Sequence, residues 1–262
     1  MHLSVNTMRG LHWQYYFRAL CSAPYGMVRR ITGRTCRDYS AMVPYMRDKV
    51  GLEIGGPSRI FIEGHLIPVY NLCQRVDNCN FESQTIWSNA VKDSGFDHRL
   101  GERFVADASD LSLLPEGKYD FVLASHALEH IANPMRALRE WKRVLKVGGA
   151  LLVIVPDKRR TFDHNRPFTT IEHLELDFRS NTQEDDLTHL DEILALHDLS
   201  LDPLAGSRQQ FRERCLRNHS LRAMHHHVYS PDVLGRMLQR FEMRVLSLAT
   251  ERPYHIIGFA QK

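Results

Sequence analysis

The segment Val50-Gly51-Leu52-Glu53-Ile54-Gly55-Gly56-Pro57-Ser58 constrains the fold more than any other stretch of the chain. A short apolar run carries one acid, stops at two glycines and meets a Pro-Ser pair. So short a run bounded by turn residues suits a buried strand. Glycine lets the backbone turn sharply and approach a ligand, because it has no Cβ. Pro-Ser suits the start of a helix, whose first N–H groups lack partners within the helix and face the turn. The segment therefore reads as a first parallel strand ending in a cradle.

The same alternation continues downstream. Further strands are expected at Leu66–Tyr70, Arg103–Ala106, Phe121–Ser125 and Ala150–Val155. Between the last two, Asn133 suits an N-cap and Pro134 the first helical position. Met135, Leu138, Trp141 and Leu145 follow at helical spacing, and Gly148-Gly149 is expected to end that helix. Strands alternating with helices imply parallel βαβ units. After Pro156 the pattern breaks. Residues 157–229 are highly charged, hold eight of the fifteen histidines and show no strand pattern, which predicts a helical insertion. A helix from Ser230-Pro231 to Phe241 and two strands, Met243–Ala249 and Ile256–Ala260, close the chain as an antiparallel hairpin.

Composition limits the classes open to such a chain. With 262 residues and 43% apolar content it can build one large α/β domain, here 46–262, behind an N-terminal helical extension over 1–45. No stretch approaches the roughly 18 uncharged apolar residues of a membrane span. Five scattered cysteines without a CxxC pair point to reduced thiols and a cytoplasmic setting. Residues 1–50 hold eight Arg or Lys against two Asp. That basic lead reads as a solvated helical cap, with peripheral contact to an anionic membrane surface as the alternative. Nothing matches the basic, aromatic-interleaved make-up of a nucleic-acid binder.

Four strand ends now stand in order: Glu53-Ile54-Gly55-Gly56, Asn71, Val105-Ala106-Asp107-Ala108, and Tyr119 through Ser125 leading into His126-Ala127-Leu128-Glu129-His130. With Arg143-Val144-Leu145-Lys146-Val147-Gly148-Gly149 before the fifth strand, the chain resembles class I S-adenosylmethionine-dependent methyltransferases. The strings Ser125-His126-Ala127-Leu128-Glu129-His130 and Pro156-Asp157-Lys158-Arg159-Arg160-Thr161-Phe162-Asp163 look like a bacterial subfamily associated with surface-polysaccharide or glycan pathways. The resemblance implies a Rossmann-like, doubly wound, mainly parallel seven-stranded sheet with an antiparallel C-terminal hairpin. It also implies S-adenosylmethionine as cofactor, with Glu53, Gly55, Gly56 and Ser58 around the methionine part, Asn71 at the ribose, Asp107 and Ala108 at the adenine, and Ser125 at the methionyl end. The family's acid-x-Gly-x-Gly-x-Gly pattern is broken here: Pro57 and Arg59 stand where the second and third glycines fall. Ser58 is then expected to cap the next helix.

Candidate catalytic groups are His126 and His130, which share a face if helical, and Asp163 with His164, where a carboxylate can orient a neighbouring imidazole. Arg166 could clamp an anionic acceptor. Each has a plainer reading. Glu53 can hold its loop, Asp107 can bond its own turn, and the charged residues can pair at the surface. His189, His197, Asp198 and the run His225-His226-His227 supply metal-type ligands, but no HxxxH or HExxH frame orders them, so no metal is expected. The leading expectation is methyl transfer to oxygen of a small polar or sugar/glycan-type acceptor bound under the 157–229 insertion. A catalytically inactive S-adenosylmethionine-binding partner protein is the alternative, followed by a metal-dependent hydrolase using the histidine-rich segment.

Overall fold

A computed structural model of the chain describes residues 34–83 and 100–262. Most of the expected N-terminal extension, residues 1–33, lies outside the described residues. From residue 34 the chain enters helix α1 (Tyr39–Met46) and then strand β1 (Val50–Ile54). Strands β2 (Arg75–Asn80), β3 (Leu100–Val105) and β4 (Tyr119–Ser125) follow. Helix α2 (Pro134–Val144) leads into β5 (Leu145–Pro156). After the insertion, helix α7 (Pro231–Arg240) precedes β6 (Arg244–Glu251) and β7 (His255–Gln261).

The seven strands form one sheet in the order β3-β2-β1-β4-β5-β7-β6. The first four pairings along that order are parallel, whereas β7 runs antiparallel to both β5 and β6. Strand order reverses between β1 and β4, and ligands of open α/β sheets bind beyond the carboxyl ends at such a point. The doubly wound sheet and C-terminal hairpin expected from the sequence are both present.

Period-2 alternation puts a core on each face of the sheet. In β4, Val122 and Ala124 join one buried cluster, and Phe121 and Leu123 join the other. In β5, Leu151, Val153 and Val155 face the first cluster, while Leu152 and Ile154 face the second. The first face is covered by α2 through Met135, Leu138 and Trp141, and by α7 through Leu234, Met237 and Leu238. The second is covered by α1 through Met42 and Met46, and by Phe61, Ile67 and Val69 of the β1–β2 connection. Helix α2 starts as its sequence requires: the Asn133 side chain accepts from the N–H of Arg136, and Pro134 takes the first turn.

Four expectations are corrected. The run Leu66–Tyr70 is not a strand but a buried loop, because Pro68 has no N–H to give to a ladder. The true β2 was hidden by its polar residues. Asp77 is fully buried there, paired with Arg75 and accepting from the Tyr119 hydroxyl and the Glu102 N–H. No α-helix follows the glycine turn, only a 3₁₀ turn at Arg59–Phe61, and the Ser58 side chain caps nothing. Gly148-Gly149 do not end a helix. Strand β5 starts at Leu145, and its glycine stretch is zipped to the C-terminus by Gly148 N–H to Lys262 C=O and Lys262 N–H to Gly149 C=O.

Residues 157–229 carry helices α3 (Ile171–Ser180), α4 (Leu190–Leu196), α5 (Arg208–Leu216) and α6 (Asn218–Leu221), and no strand. A third apolar cluster of Ile193, Ala205, Phe211, Cys215 and Met224 joins α4 and α5, whereas α3 packs into the first cluster through Ile171 and Leu174. Among the described residues, no helix is long and apolar enough to cross a membrane.

Gly51 pairs with Phe121 of the neighbouring β4, and a Cβ there would lie 2.0 Å from the Phe121 ring. Gly51→Ala is therefore expected to cost about 1–3 kcal/mol of stability by overpacking. Denaturant unfolding checks this, and a midpoint equal to wild type would contradict the packing described.

Candidate functional site

The ends of β1 to β4 converge on one cleft, lined by Ile54, Gly55, Asn80, Phe81, Ala106, Asp107, Ala108, Ala127 and Ile131, with Arg222 reaching in from the insertion. Gly55 takes φ +75°, and a Cβ there would press the Ala127 side chain at 3.1 Å, so the turn needs glycine. Gly56 serves a different purpose. A Cβ on it would sit 2.0 Å from the Glu53 carboxyl group, which occupies that space beneath the turn.

Glu53 does not line this cleft. It is wholly buried and accepts a 2.6 Å hydrogen bond from the Tyr70 hydroxyl, which in turn accepts from the Ser58 N–H at 2.7 Å. Its Oε1 has no hydrogen-bond partner among the described residues. Burial, only partly offset by Ser58 and Tyr70, pushes its pKa up to about 7. The geometry is that of a loop anchor.

Asn71 lies in an exposed turn before β2, so its assignment to the end of strand two is corrected. Asn80 ends β2 and lines the cleft, with its amide donating to Gly56 C=O at 2.8 Å. The sequence signal for it was the valine-led run Arg75-Val76-Asp77-Asn78-Cys79-Asn80, outweighed by the more apolar Leu66–Tyr70. Asp107 and Ala108 follow β3 and do line the cleft. Asp107 Oδ1 accepts from the Ser109 N–H and hydroxyl at 2.8 and 2.7 Å, and Oδ2 pairs with Arg222 at 2.9 Å. Although burial opposes its ionisation, Ser109 and Arg222 lower its pKa below the usual carboxylate value. Arg222 also pairs with Glu184 at 2.6 Å and lies over the Phe81 ring at 5.4 Å, tying the insertion to the cleft.

Beside the cleft lies a cavity of about 290 Å³, floored by Ser125 and Pro156 of the sheet and walled largely by the insertion. Gly55, His126 and His130 line both spaces and form their shared wall. Ser58 lines only the cavity, where Phe162, Phe211 and Tyr254 supply aromatic faces. His126 holds a left-handed backbone, φ 52°, a strained state for a non-glycine residue that clusters at functional sites. Its Nε2 lies 2.9 Å from His255 Nδ1, and its Nδ1 lies 3.4 Å from Glu129 Oε1. Leu128–His130 is a 3₁₀ turn rather than an α-helix, yet both histidines reach the same wall. His130 Nδ1 faces Met224 C=O at 3.1 Å, and burial followed by His225 lowers its pKa to about 4.

Asp163 orients an imidazole, but not that of His164. His164 lines neither space; its Nδ1 faces Thr161 C=O and its Nε2 lies 3.7 Å from Asp198. The partner is His225, whose Nδ1 lies 2.6 Å from Asp163 Oδ2. Burial works against the Asp163 carboxylate, but His225 and Arg166 more than offset it and bring its pKa to about 2. Arg166 is no free anion clamp. It is 1% exposed and bonds Asp163, Glu192 and the carbonyls of His225 and His226. In the sequence His225 shows only as one of three adjacent histidines, since nothing local reveals a partner 62 residues away.

Residues 68–153 match the family model described as a methyltransferase domain. No curated protein matches the chain. Among solved structures it is similar to an S-adenosylmethionine-dependent methyltransferase from Mesorhizobium loti, with 13% identity, 86% of this chain and 95% of that one covered, and a TM-score of 0.49. It is also similar to one from Methanosarcina mazei, with 17% identity, coverage of 85% and 96%, and a TM-score of 0.47.

The Glu53 pKa has a testable sign. An acid raised from 4.5 to about 7 keeps its proton in the folded state over that interval, while the unfolded chain releases it. Its contribution to stability is full below about pH 4.5 and is lost as pH rises through about 7. Glu53→Gln removes that loss. Relative to wild type, the variant is expected to gain up to roughly 3 kcal/mol between pH 4.5 and 8. Denaturant unfolding across that range checks it, and a constant difference would contradict the buried state of Glu53.

Proposed function

We propose that this chain, whose residues 68–153 match the methyltransferase-domain model, is a class I S-adenosylmethionine-dependent methyltransferase and methylates a hydroxyl oxygen of a small polar or sugar-type acceptor held in the cavity under residues 157–229. The observation that carries the reading is the shared wall: one cavity, furnished with an oriented imidazole, meets the cofactor cleft at Gly55, His126 and His130.

The cleft fits the cofactor in kind. Ile54, Phe81, Ala106, Ala108 and Ile131 offer apolar surface to an adenine ring, while Asn80 and Asp107 stand at its polar edges. Asn80, in place of Asn71, is the residue at the ribose position, and Gly55 and Ala127 border the methionine part. When bound, S-adenosylmethionine supplies a methyl group that is already electrophilic, so the protein has chiefly to position the acceptor and keep water out. A hydroxyl acceptor must lose a proton as it reacts. His225 is placed to take it. With Nδ1 held by the ionised Asp163, its Nε2 is left as the acceptor nitrogen, and Asp163 stabilises the imidazolium that forms. His126, with both ring nitrogens against His255 and Glu129, is a wall and a positioning group.

The cavity lining supports the acceptor class. Aromatic faces of Phe162, Phe211 and Tyr254 alternate with Ser58, Ser125, Thr161 and Arg214, a mixture that suits a sugar-like molecule with apolar faces and hydroxyl edges. Reduced, buried Cys36, Cys73, Cys79 and Cys215 agree with a cytoplasmic setting.

Turnover of S-adenosylmethionine with panels of sugars, phenols, carboxylates and amines tests the class, with methylation of a hydroxyl as the expected product. His225→Gln and Asp163→Asn are each expected to lower kcat by roughly 10²–10⁴. Calorimetric affinity for S-adenosylmethionine should stay within about threefold of wild type, well inside the tenfold that corresponds to 1.4 kcal/mol. Full activity in both variants would remove His225 as the base, and selective methylation of amines would overturn the oxygen assignment.

A further inference from the structure

The insertion gathers a second set of imidazoles away from both the cleft and the cavity. His173 and Asp177 lie one turn apart on α3 and so share a face. His189 stands directly before α4, and His227 ends the triple-histidine run. None of the four lines either space described above.

Their ligand atoms converge. His173 Nε2 lies 3.2 Å from Asp177 Oδ2, His227 Nε2 lies 3.1 Å from the same oxygen, and His173 Nε2 lies 3.0 Å from His189 Nε2. One ligand atom from each of the four lies within 4.8 Å of the others. Hydrogen bonds alone serve this arrangement poorly. A ring nitrogen carries either a proton or a lone pair. At His173 Nε2 a proton can be directed fully to Asp177 or to His189, and a lone pair there would face the Asp177 carboxylate.

A cation in the middle resolves that conflict, and the spacing fits one. Four ligands about 2.0–2.1 Å from a tetrahedral zinc ion stand roughly 3.3–3.4 Å apart. The three separations above, 3.0–3.2 Å, lie slightly inside that edge, and the remaining ones lie within 4.8 Å. Three imidazole nitrogens and one carboxylate are a donor set suited to zinc among the divalent metals. Asp177 is braced from outside, its Oδ1 accepting from the Thr182 hydroxyl and its carbonyl from Asn133. The frame that the sequence lacked as HxxxH is present as His173-x-x-x-Asp177.

We propose that His173, Asp177, His189 and His227 bind one Zn²⁺ ion in a closed structural site that fastens α3, the start of α4 and the segment 225–229 to one another. Four protein ligands leave no open position, so the ion shapes the insertion and takes no part in chemistry. Its reach into function is positional, because His227 is two residues from His225.

Metal analysis of the full-length protein after dialysis tests the site. One zinc per chain is expected, and substitution with Co²⁺ should give the intense visible absorption of a four-coordinate centre. Removal of zinc by a chelator should lower the unfolding temperature, and added Zn²⁺ should restore it. His189→Gln and His227→Gln should each lose the ion, while His225→Gln should keep it. If a variant fails to fold, the chelation and restoration arm on wild type still decides. Protein that holds no zinc and shows no zinc-dependent shift in unfolding would overturn the proposal. So would an ion lost in His225→Gln but kept in His189→Gln, which would place it on Glu129, His130 and His225 instead.

Discussion

The buried Arg166 guanidinium is the contact on which the histidine-rich half of the molecule depends. A charge taken out of water persists only when it is paired and its donors are used. Here Asp163 and Glu192 supply the counter-charge, and the carbonyls of His225 and His226 take further N–H groups. One side chain thus joins the loop after β5, the start of α4 and the returning segment at 225–226. Asp163 can then face His225, and His225 can face the cavity. Were Arg166 removed, a buried carboxylate and two buried carbonyls would be left without it, so this residue, which also lines the cavity, is tied into the architecture.

The sheet contributes the other half of the arrangement. Reversal of strand order between β1 and β4 opens the crevice, and the β1 turn is held from below by the Ser58–Tyr70–Glu53 chain of hydrogen bonds. This support takes the place of the later glycines and of the helix that would otherwise follow. A buried acid pinned under a turn is a rigid device, and rigidity there keeps Gly55 in the wall that the two spaces share. The insertion reaches back to the same crevice through Arg222, so the two halves meet at Asp107 as well as at the cavity.

Much of this was legible in the sequence, and the failures have physical causes. β1, β4, α2, α7 and the hairpin were readable because each couples a clean periodicity to a matching cap or turn. β2 was misplaced because its inward residues are polar and satisfied by distant partners, while the apolar Leu66–Tyr70 fills the core as a loop. A strand read at Leu66–Tyr70 points to Asn71 as its end, whereas β2 ends at Asn80. His164 stands out in the sequence and His225 does not, because adjacency is visible there and a contact spanning the insertion is not. The four-residue cluster around Asp177 escaped for the same reason, with only one of its pairs showing a local spacing.

The three consecutive histidines carry a consequence for chain length. His225 turns to Asp163, His226 to Asn218 and His227 to Asp177, each at about 3 Å or less. Connecting segments normally tolerate insertions and deletions. This one cannot, because a shift of one residue would hand every imidazole to its neighbour's partner. Through residues 225–227 the spacing behaves as a ruler.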